Sequence, residues 1–270
     1  MRADVQATTQ GQRYGGIEDI ALLGGDAAAR TVVGSLLFYC MTVYWASRRP
    51  GVHPVATSGG RRLREALEGM KKGAYPVAAS GSNPGAIITI NDTRGRPSRY
   101  DISLHDAPGV DPAILLAKGG DPGARLAVML QKGLGRLIFG EKYMILADCS
   151  THKSWDADPC RLGASISGLK EMRETACRIG GRMAVPVAIV LTNPDALPDD
   201  LQKAPARRIA SGYRPLMSSL ESSCDMSMVM FFKSRIDTMD GADGSRYRRL
   251  AVPLGYNSSE YSRIVSWIVE

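Results

Sequence analysis

Apolar positions along the chain occur in short runs, and the spacing of these runs predicts alternating strands and helices. The run at 17–23 ends at Gly24-Gly25, which favours a buried strand that enters a tight turn. The run at 32–46 is shorter than the roughly 20 apolar residues that span a bilayer, so it predicts a buried helix. Residues 48–60 contain Gly, Pro and Arg and predict a loop. Apolar residues recur at helical spacing within 61–72 and predict an amphipathic helix.

The second part of the chain continues the alternation. Residues 86–90 and 100–104 are rich in β-forming residues, and the turn-forming segment between them predicts a hairpin. Further predicted elements are central strands at 143–149, 185–192 and 228–232, and helices at 162–179 and 260–268. Strands that alternate with helices favour an α/β fold of three layers, with an open, mainly parallel sheet and one antiparallel hairpin strand. We expect a flexible leader at 1–16 and a single domain at 17–270.

Composition narrows the class of protein. Apolar residues make up 44% of the chain and charged residues 23%, which argues against disorder. The 34 Lys and Arg exceed the 27 Asp and Glu by seven, but they are spread along the chain without interleaved aromatic residues, so nucleic-acid binding is only weakly indicated. The five cysteines include no C-x-x-C pair, which disfavours a secreted disulfide framework and favours the cytoplasm.

The first candidate site segment runs from Gly24 to Thr31, between the first predicted strand and the apolar helix. Compared with the phosphate-binding pattern G-x-x-x-x-G-K-[ST], it keeps the first Gly and the final Thr, whereas Ala29 replaces the second Gly and Arg30 replaces the Lys. The start of a helix favours an anion. However, a non-glycine residue at positive φ costs about 1–2 kcal/mol, and Arg has a broader head than Lys. A degenerate phosphate loop and an ordinary strand-to-helix turn both stay open.

Two further segments follow predicted strands. Asp106-Ala107-Pro108-Gly109 comes after the hairpin, and Thr192-Asn193-Pro194-Asp195 comes after the run at 185–192. Each is ordinary turn chemistry taken alone. Their order along the chain is informative, because ligands of open α/β sheets bind beyond the carboxyl ends of the strands.

Taken in this order, the three segments resemble those of the Ras-like GTPases, which are P-loop NTPases. In particular, the chain is similar to bacterial double-GTPase-type proteins, whose phosphate loop leads into an apolar helix. The resemblance extends from about Ile17 to Glu270 and rests on architecture and motif order. It implies a Ras-like G-domain with insertions and a site for GTP or GDP with Mg²⁺.

The resemblance also implies roles for individual residues. The positions that would contact the nucleotide are Gly24, Asp26, Ala29, Arg30, Thr31, Ser80, Asp106, Gly109, Thr192, Asp195 and Ser234. Of these, Thr31, Ser80 and Asp106 would hold the metal, the last through water. By the same analogy, Asp195 would accept hydrogen bonds from the guanine base.

The departures from the family pattern point to lost catalysis. Besides Ala29 and Arg30, Asn193 stands where the family has the Lys that covers the base, and Val110 stands where many members orient the attacking water. Catalysis in this family is mainly positioning and charge stabilisation, and valine offers neither. We therefore expect a pseudo-GTPase with weak or absent GTP binding, which acts as a regulatory or scaffolding partner in a larger protein assembly.

Two alternatives stay open. One is a functional GTP-binding switch whose slow hydrolysis depends on a partner protein. The other is a basic α/β module that binds nucleic acid, with binding that weakens steeply as salt increases.

Overall fold

The computed structural model describes the secondary-structure elements and part of their connections. The described residues are 17–24, 27–45, 52–58, 60–72, 86–92, 98–105, 120–132, 134–154, 163–177, 186–223, 227–232, 236–240, 246–250 and 259–269. The expected leader at 1–16 lies outside them, and the single domain at 17–270 stays a prediction.

Seven of the described strands form one sheet in the order β2-β3-β4-β1-β5-β6-β7. Strand β1 pairs in parallel with β4 and β5, and β5, β6 and β7 continue the sheet in parallel. Strand β3 pairs antiparallel with both β2 and β4, and β8 and β9 form a separate antiparallel pair. The strands are β1 (Ile17–Gly24), β2 (Val52–Ser58), β3 (Ala86–Asp92), β4 (Ser98–His105), β5 (Lys142–Asp148), β6 (Val187–Thr192), β7 (Ser227–Phe232), β8 (Ile236–Asp240) and β9 (Arg246–Leu250).

Helices follow most of the parallel strands. The helices are α1 (Ala27–Tyr39), α2 (Gly60–Lys71), α3 (Pro122–Gln131), α4 (Gly135–Ile138), α5 (Gly163–Cys177), α6 (Asp199–Gln202), α7 (Ala206–Ser211), α8 (Arg214–Ser223) and α9 (Ser259–Val269). A π-helical segment, Cys40–Trp45, extends α1, and Cys149–Ser154 and Pro194–Ala196 are short 3₁₀ helices. The α/β class and the parallel core expected from the sequence are therefore confirmed.

The buried side chains form two clusters, one on each face of the sheet. Alternate residues of β5 go to opposite faces: Tyr143 and Ile145 join α3, α5, α7 and α8, whereas Met144 and Leu146 join α1, α2 and α9. Every residue of β6 is buried, because helices cover this strand on both faces. Burial on both faces explains why β5 and β6 are continuous apolar runs in the sequence.

Residues 32–41 confirm the prediction of a buried apolar helix. Most side chains of this stretch are at most 6% exposed, and they pack in the cluster that also contains residues of α2 and α9. Within the described ranges, no helix is long and apolar enough to cross a membrane.

The predicted loop at 48–60 is wrong over most of its length, because β2 occupies Val52–Ser58. This strand lies at the edge of the sheet, where its one neighbour among the described strands is β3. An edge position tolerates Pro54, since one side of the strand needs no ladder donor. The proline and glycine of this segment therefore indicated a loop where pairing with a distant strand produces β structure.

A helix also lies within the segment 107–134, for which the sequence analysis predicted no helix. Helix α3 begins after Asp121, whose carboxylate accepts a hydrogen bond from the amide of Ala124 at 2.8 Å, and Pro122 occupies its first turn. An acidic N-cap followed by proline is a normal helix start. The high content of Gly, Pro and Asp in this segment obscured that signal.

Two cationic side chains fix connections at the amino end of β5. The Nζ of Lys142, a residue 7% exposed, donates to the carbonyl oxygens of Trp267 (3.1 Å) and Ile268 (2.8 Å) at the end of α9. A guanidinium nitrogen of the partly buried Arg173 donates to the carbonyl oxygens of Ile138 (2.8 Å) and Gly140 (3.0 Å) before the strand. A cation at a helix C-terminus compensates the carbonyls that have no partner within the helix.

Candidate functional site

The candidate site lies where the parallel strands end. After β1 the chain builds β2, β3 and β4 on one side of that strand, and it then builds β5, β6 and β7 on the other side. Strand order therefore reverses at β1, and in open α/β sheets the crevice beyond the carboxyl ends at such a point is the usual ligand site. Gly24 ends β1, Asp148 ends β5 and Thr192 ends β6, so these three residues lie along one edge of the sheet.

The first motif segment forms a shorter connection than a phosphate loop requires. Helix α1 already begins at Ala27, so only Gly25 and Asp26 separate it from β1. In the pattern G-x-x-x-x-G-K-[ST], all four intervening residues contribute to the loop around the phosphates. Here Arg30 is inside the helix, and it is 2% exposed.

The remaining helical residues of this segment give the same picture. Ala29 precedes Arg30 in α1, and Thr31, expected to bind a metal, is 5% exposed. Both Arg30 and Thr31 have interactions with the surrounding protein. From Ala27 onwards the segment is thus a helix with a buried guanidinium and a buried hydroxyl. What this helix offers to an anion is the set of backbone amides in its first turn.

The third motif segment, Thr192–Asp195, begins the loop at residues 192–197, which is called the T-N-P-D loop below. Thr192 is 3% exposed, and its hydroxyl lies 3.5 Å from the Ala147 carbonyl oxygen, a long hydrogen bond. Asn193 adopts a left-handed conformation, with φ of 52° and ψ of 49°. Asp195 lies in the 3₁₀ turn that follows, Pro194–Ala196. The segment therefore turns sharply as it leaves the sheet.

Asp148 ends β5 at the candidate site, and the sequence reasoning did not identify it. Its Oδ1 accepts hydrogen bonds from the Asn193 side-chain amide at 3.2 Å and from the Ser150 backbone amide at 2.9 Å. Its backbone oxygen accepts a hydrogen bond from the hydroxyl of Thr151 at 2.9 Å. The 3₁₀ turns that follow β5 and β6 are consequently in contact. An aspartate that ends an apolar run and precedes Ser and Thr was the available signal, and its partner Asn193 is remote in sequence.

Cys149 follows Asp148 and is completely buried. Burial raises the pKa of the Cys149 thiol to about 12, and the neighbouring Asp148 carboxylate adds to this rise. A thiol that is protonated at neutral pH is a poor nucleophile and a poor metal ligand. Among the described residues, no group of three His, Cys, Asp or Glu is arranged to hold a metal ion.

Five of the nucleotide-contacting residues inferred from the resemblance lie outside the described residues. They are Asp26, Ser80, Asp106, Gly109 and Ser234. The segments that contain Asp106 and Ser234 follow β4 and β7, whose carboxyl ends share the edge with those of β1, β5 and β6.

Comparison with known proteins adds no family assignment. No protein-family model matches the chain, and no curated protein is significantly similar to it in sequence.

Proposed function

We propose that the chain is a degenerate Ras-like G-domain that acts as a regulatory or scaffolding subunit. It binds GTP weakly or not at all, and it hydrolyses little or none. The observation that carries this proposal is the burial of Arg30 and Thr31 within a helix that already begins at Ala27.

The sheet supports the G-domain part of the proposal. The three motif segments, Gly24–Thr31, Asp106–Gly109 and Thr192–Asp195, each follow a strand with a parallel neighbour, namely β1, β4 and β6. All three strands end at the same edge, on both sides of the point where strand order reverses. This is the placement that a nucleotide site of an open α/β sheet requires.

Helix α1 supports the inference that the nucleotide site is degenerate. A phosphate loop binds through several backbone amides that surround the phosphates and through a mobile cationic side chain. With α1 beginning at Ala27, the amides of its first turn can still attract one anion, but Arg30 is packed inside the protein. We therefore expect binding that is weak and independent of Mg²⁺, in which the phosphates contribute little.

Exposed apolar side chains support a role in protein association. Val128 is 42% exposed and Leu130 48%, both in α3, and Phe139, which directly follows α4, is 43% exposed. These residues belong to the segment between Gly109 and Asp195, which is long compared with the corresponding segment of a minimal Ras-like domain. Segments of this kind on a rigid scaffold commonly bind partners.

The decisive experiment is identification of any nucleotide that copurifies with the protein. The purified chain is denatured, and the released nucleotide is separated by chromatography and quantified per chain. We expect less than about one tenth of a nucleotide per chain, together with little thermal shift in millimolar GTP, GDP or ATP. A micromolar ligand at millimolar concentration would stabilise the fold by about 4 kcal/mol, which is readily detected. Near-stoichiometric GDP or GTP would refute the proposal and favour the alternative of a functional GTP-binding switch.

A second experiment tests which feature prevents nucleotide binding: the residues at positions 29 and 30, or the short connection between β1 and α1. The double variant Ala29→Gly/Arg30→Lys restores the pattern G-x-x-x-x-G-K-T. We expect no gain in GDP binding, because α1 leaves too few residues for the loop. The matched control is Arg30→Lys alone, which reports the effect of replacing the buried guanidinium. Stoichiometric, Mg²⁺-dependent GDP binding by the double variant would show that the substitutions alone inactivate the site.

A further inference from the structure

Asn193 has an unusual backbone conformation for a residue with a side chain. Among the described residues it is the only non-glycine residue with a positive φ, 52°. It also precedes Pro194, which disfavours the right-handed helical conformation at the preceding residue. Asn tolerates the left-handed region better than most residues, but the conformation still has to be held by its surroundings.

The side chain of Asn193 is tied to the neighbouring strand. Its Nδ2 donates to Oδ1 of Asp148 at 3.2 Å, and the same oxygen accepts the Ser150 amide at 2.9 Å. Asp148 and Thr192 are register partners in the ladder between β5 and β6. The hydrogen bond between Asp148 and Asn193 therefore joins residues at the ends of two paired strands. A hydrogen bond to a carboxylate is stronger than one between neutral groups.

We propose that Asp148 is a positioning residue for the T-N-P-D loop. Its carboxylate holds Asn193 in the left-handed conformation and thereby sets the direction in which the chain leaves β6. The inference rests on the proposed function in one respect, namely that this loop is the one expected to face the base.

Several contacts of the loop depend on this direction. The Ala196 amide donates to the Asn193 carbonyl at 3.0 Å, and the Leu197 amide donates to the Pro194 carbonyl at 3.1 Å. The Leu197 side chain is then buried, at 3% exposure, in the core cluster that contains Tyr143 and Ile145. A loop that is already ordered has little ordering entropy left to lose when a ligand binds. The T-N-P-D loop is ordered by contacts within the protein and needs no bound nucleotide, as expected for a degenerate G-domain.

A double-mutant cycle on the full chain, without added nucleotide, tests the positioning role. The variants are Asp148→Ala, Asn193→Gly and the double variant, and equilibrium unfolding in urea is measured for each. Glycine at position 193 can still adopt the left-handed conformation, but it cannot form the side-chain hydrogen bond to Asp148. We expect Asp148→Ala to raise the unfolding equilibrium constant about tenfold more in the wild-type background than in the Asn193→Gly background. Equal effects in the two backgrounds would overturn the proposal.

Amide hydrogen exchange gives the readout that a merely structural role would not change. In Asp148→Ala, we expect the amides of Ala196 and Leu197 to exchange about tenfold faster relative to those of Ile145 and Val190 in the sheet. A uniform increase over all four amides would instead indicate a loss of global stability alone, and would overturn the positioning role.

The matched control is Asp121→Ala, which removes another aspartate that accepts a backbone amide, at 2.8 Å, far from this loop in sequence. Its effect on stability should be the same in the wild-type background and in the Asn193→Gly background. An additive Asp148 cycle overturns the positioning role and leaves the degenerate G-domain standing. Tight GDP binding by the wild type overturns the proposed function and leaves the cycle unaffected.

Discussion

Ser35 is a buried polar residue of α1 without a hydrogen-bond partner among the described residues, and its replacement should stabilise the protein. The residue is fully buried, and its hydroxyl has no hydrogen-bond partner among the described residues. Burying a hydroxyl without a partner costs about 1–3 kcal/mol. Ser35→Ala removes this cost and also replaces Ser by the best helix former, a gain of about 0.5 kcal/mol. We therefore expect the free energy of unfolding to rise by about 1.5–3.5 kcal/mol.

Urea unfolding followed by far-UV circular dichroism measures this change. The melting temperature should rise by about 2–4 °C for each kcal/mol, as for chains of comparable length. The matched control is Ser218→Ala at an exposed position of α8, which gains only helix propensity. If Ser35→Ala stabilises the chain no more than Ser218→Ala, or destabilises it, the hydroxyl of Ser35 is satisfied and the reasoning is refuted.

Two further predictions concern groups at the two ends of β5. Lys142→Met should lower the free energy of unfolding by about 1.5–3 kcal/mol, because the last carbonyls of α9 lose a charged donor. Urea unfolding of this variant beside Lys203→Met, at an exposed position, measures the loss, and equal stabilities of the two variants would contradict it. At the other end, the raised pKa of Cys149 keeps its thiol protonated in the folded state, whereas the unfolded state loses the proton above about pH 9. The stability that this thiol contributes is thus complete below pH 9 and is lost as the pH rises towards about 12, by about 1.4 kcal/mol per unit. Cys149→Ala should therefore lose less stability than the wild type over this range, and parallel pH profiles of the two proteins would exclude the effect.

The sequence predicted most strands of the sheet and four of the flanking helices correctly. Strands β1, β5, β6 and β7 and helices α1, α2, α5 and α9 lie close to their predicted positions. Periodicity identifies such elements because burial on one or both faces leaves a regular apolar pattern. The edge strand β2 has no such pattern, since its β structure depends on pairing with β3.

The candidate site was only partly accessible to sequence reasoning. The order of the motif segments identified the ends of β1 and β6, and the comparison with a phosphate pattern drew attention to Arg30. Neither showed that α1 begins at Ala27 or that Arg30 is buried, because the start of a helix and the burial of its residues depend on what packs against it. Asp148 was missed because its partner Asn193 is 45 residues away.

The sequence by itself determined the α/β class, the alternation of strands and helices, and the positions of the polar segments that follow the strands. These properties are local, because each is written in the spacing and type of neighbouring residues. Only the tertiary structure decided which strand pairs with which, how short the connection after β1 is, and which polar side chains are partners. The contact between Lys142 and Ile268 joins residues 126 positions apart, and such contacts exist only after the sheet and its helices have packed together.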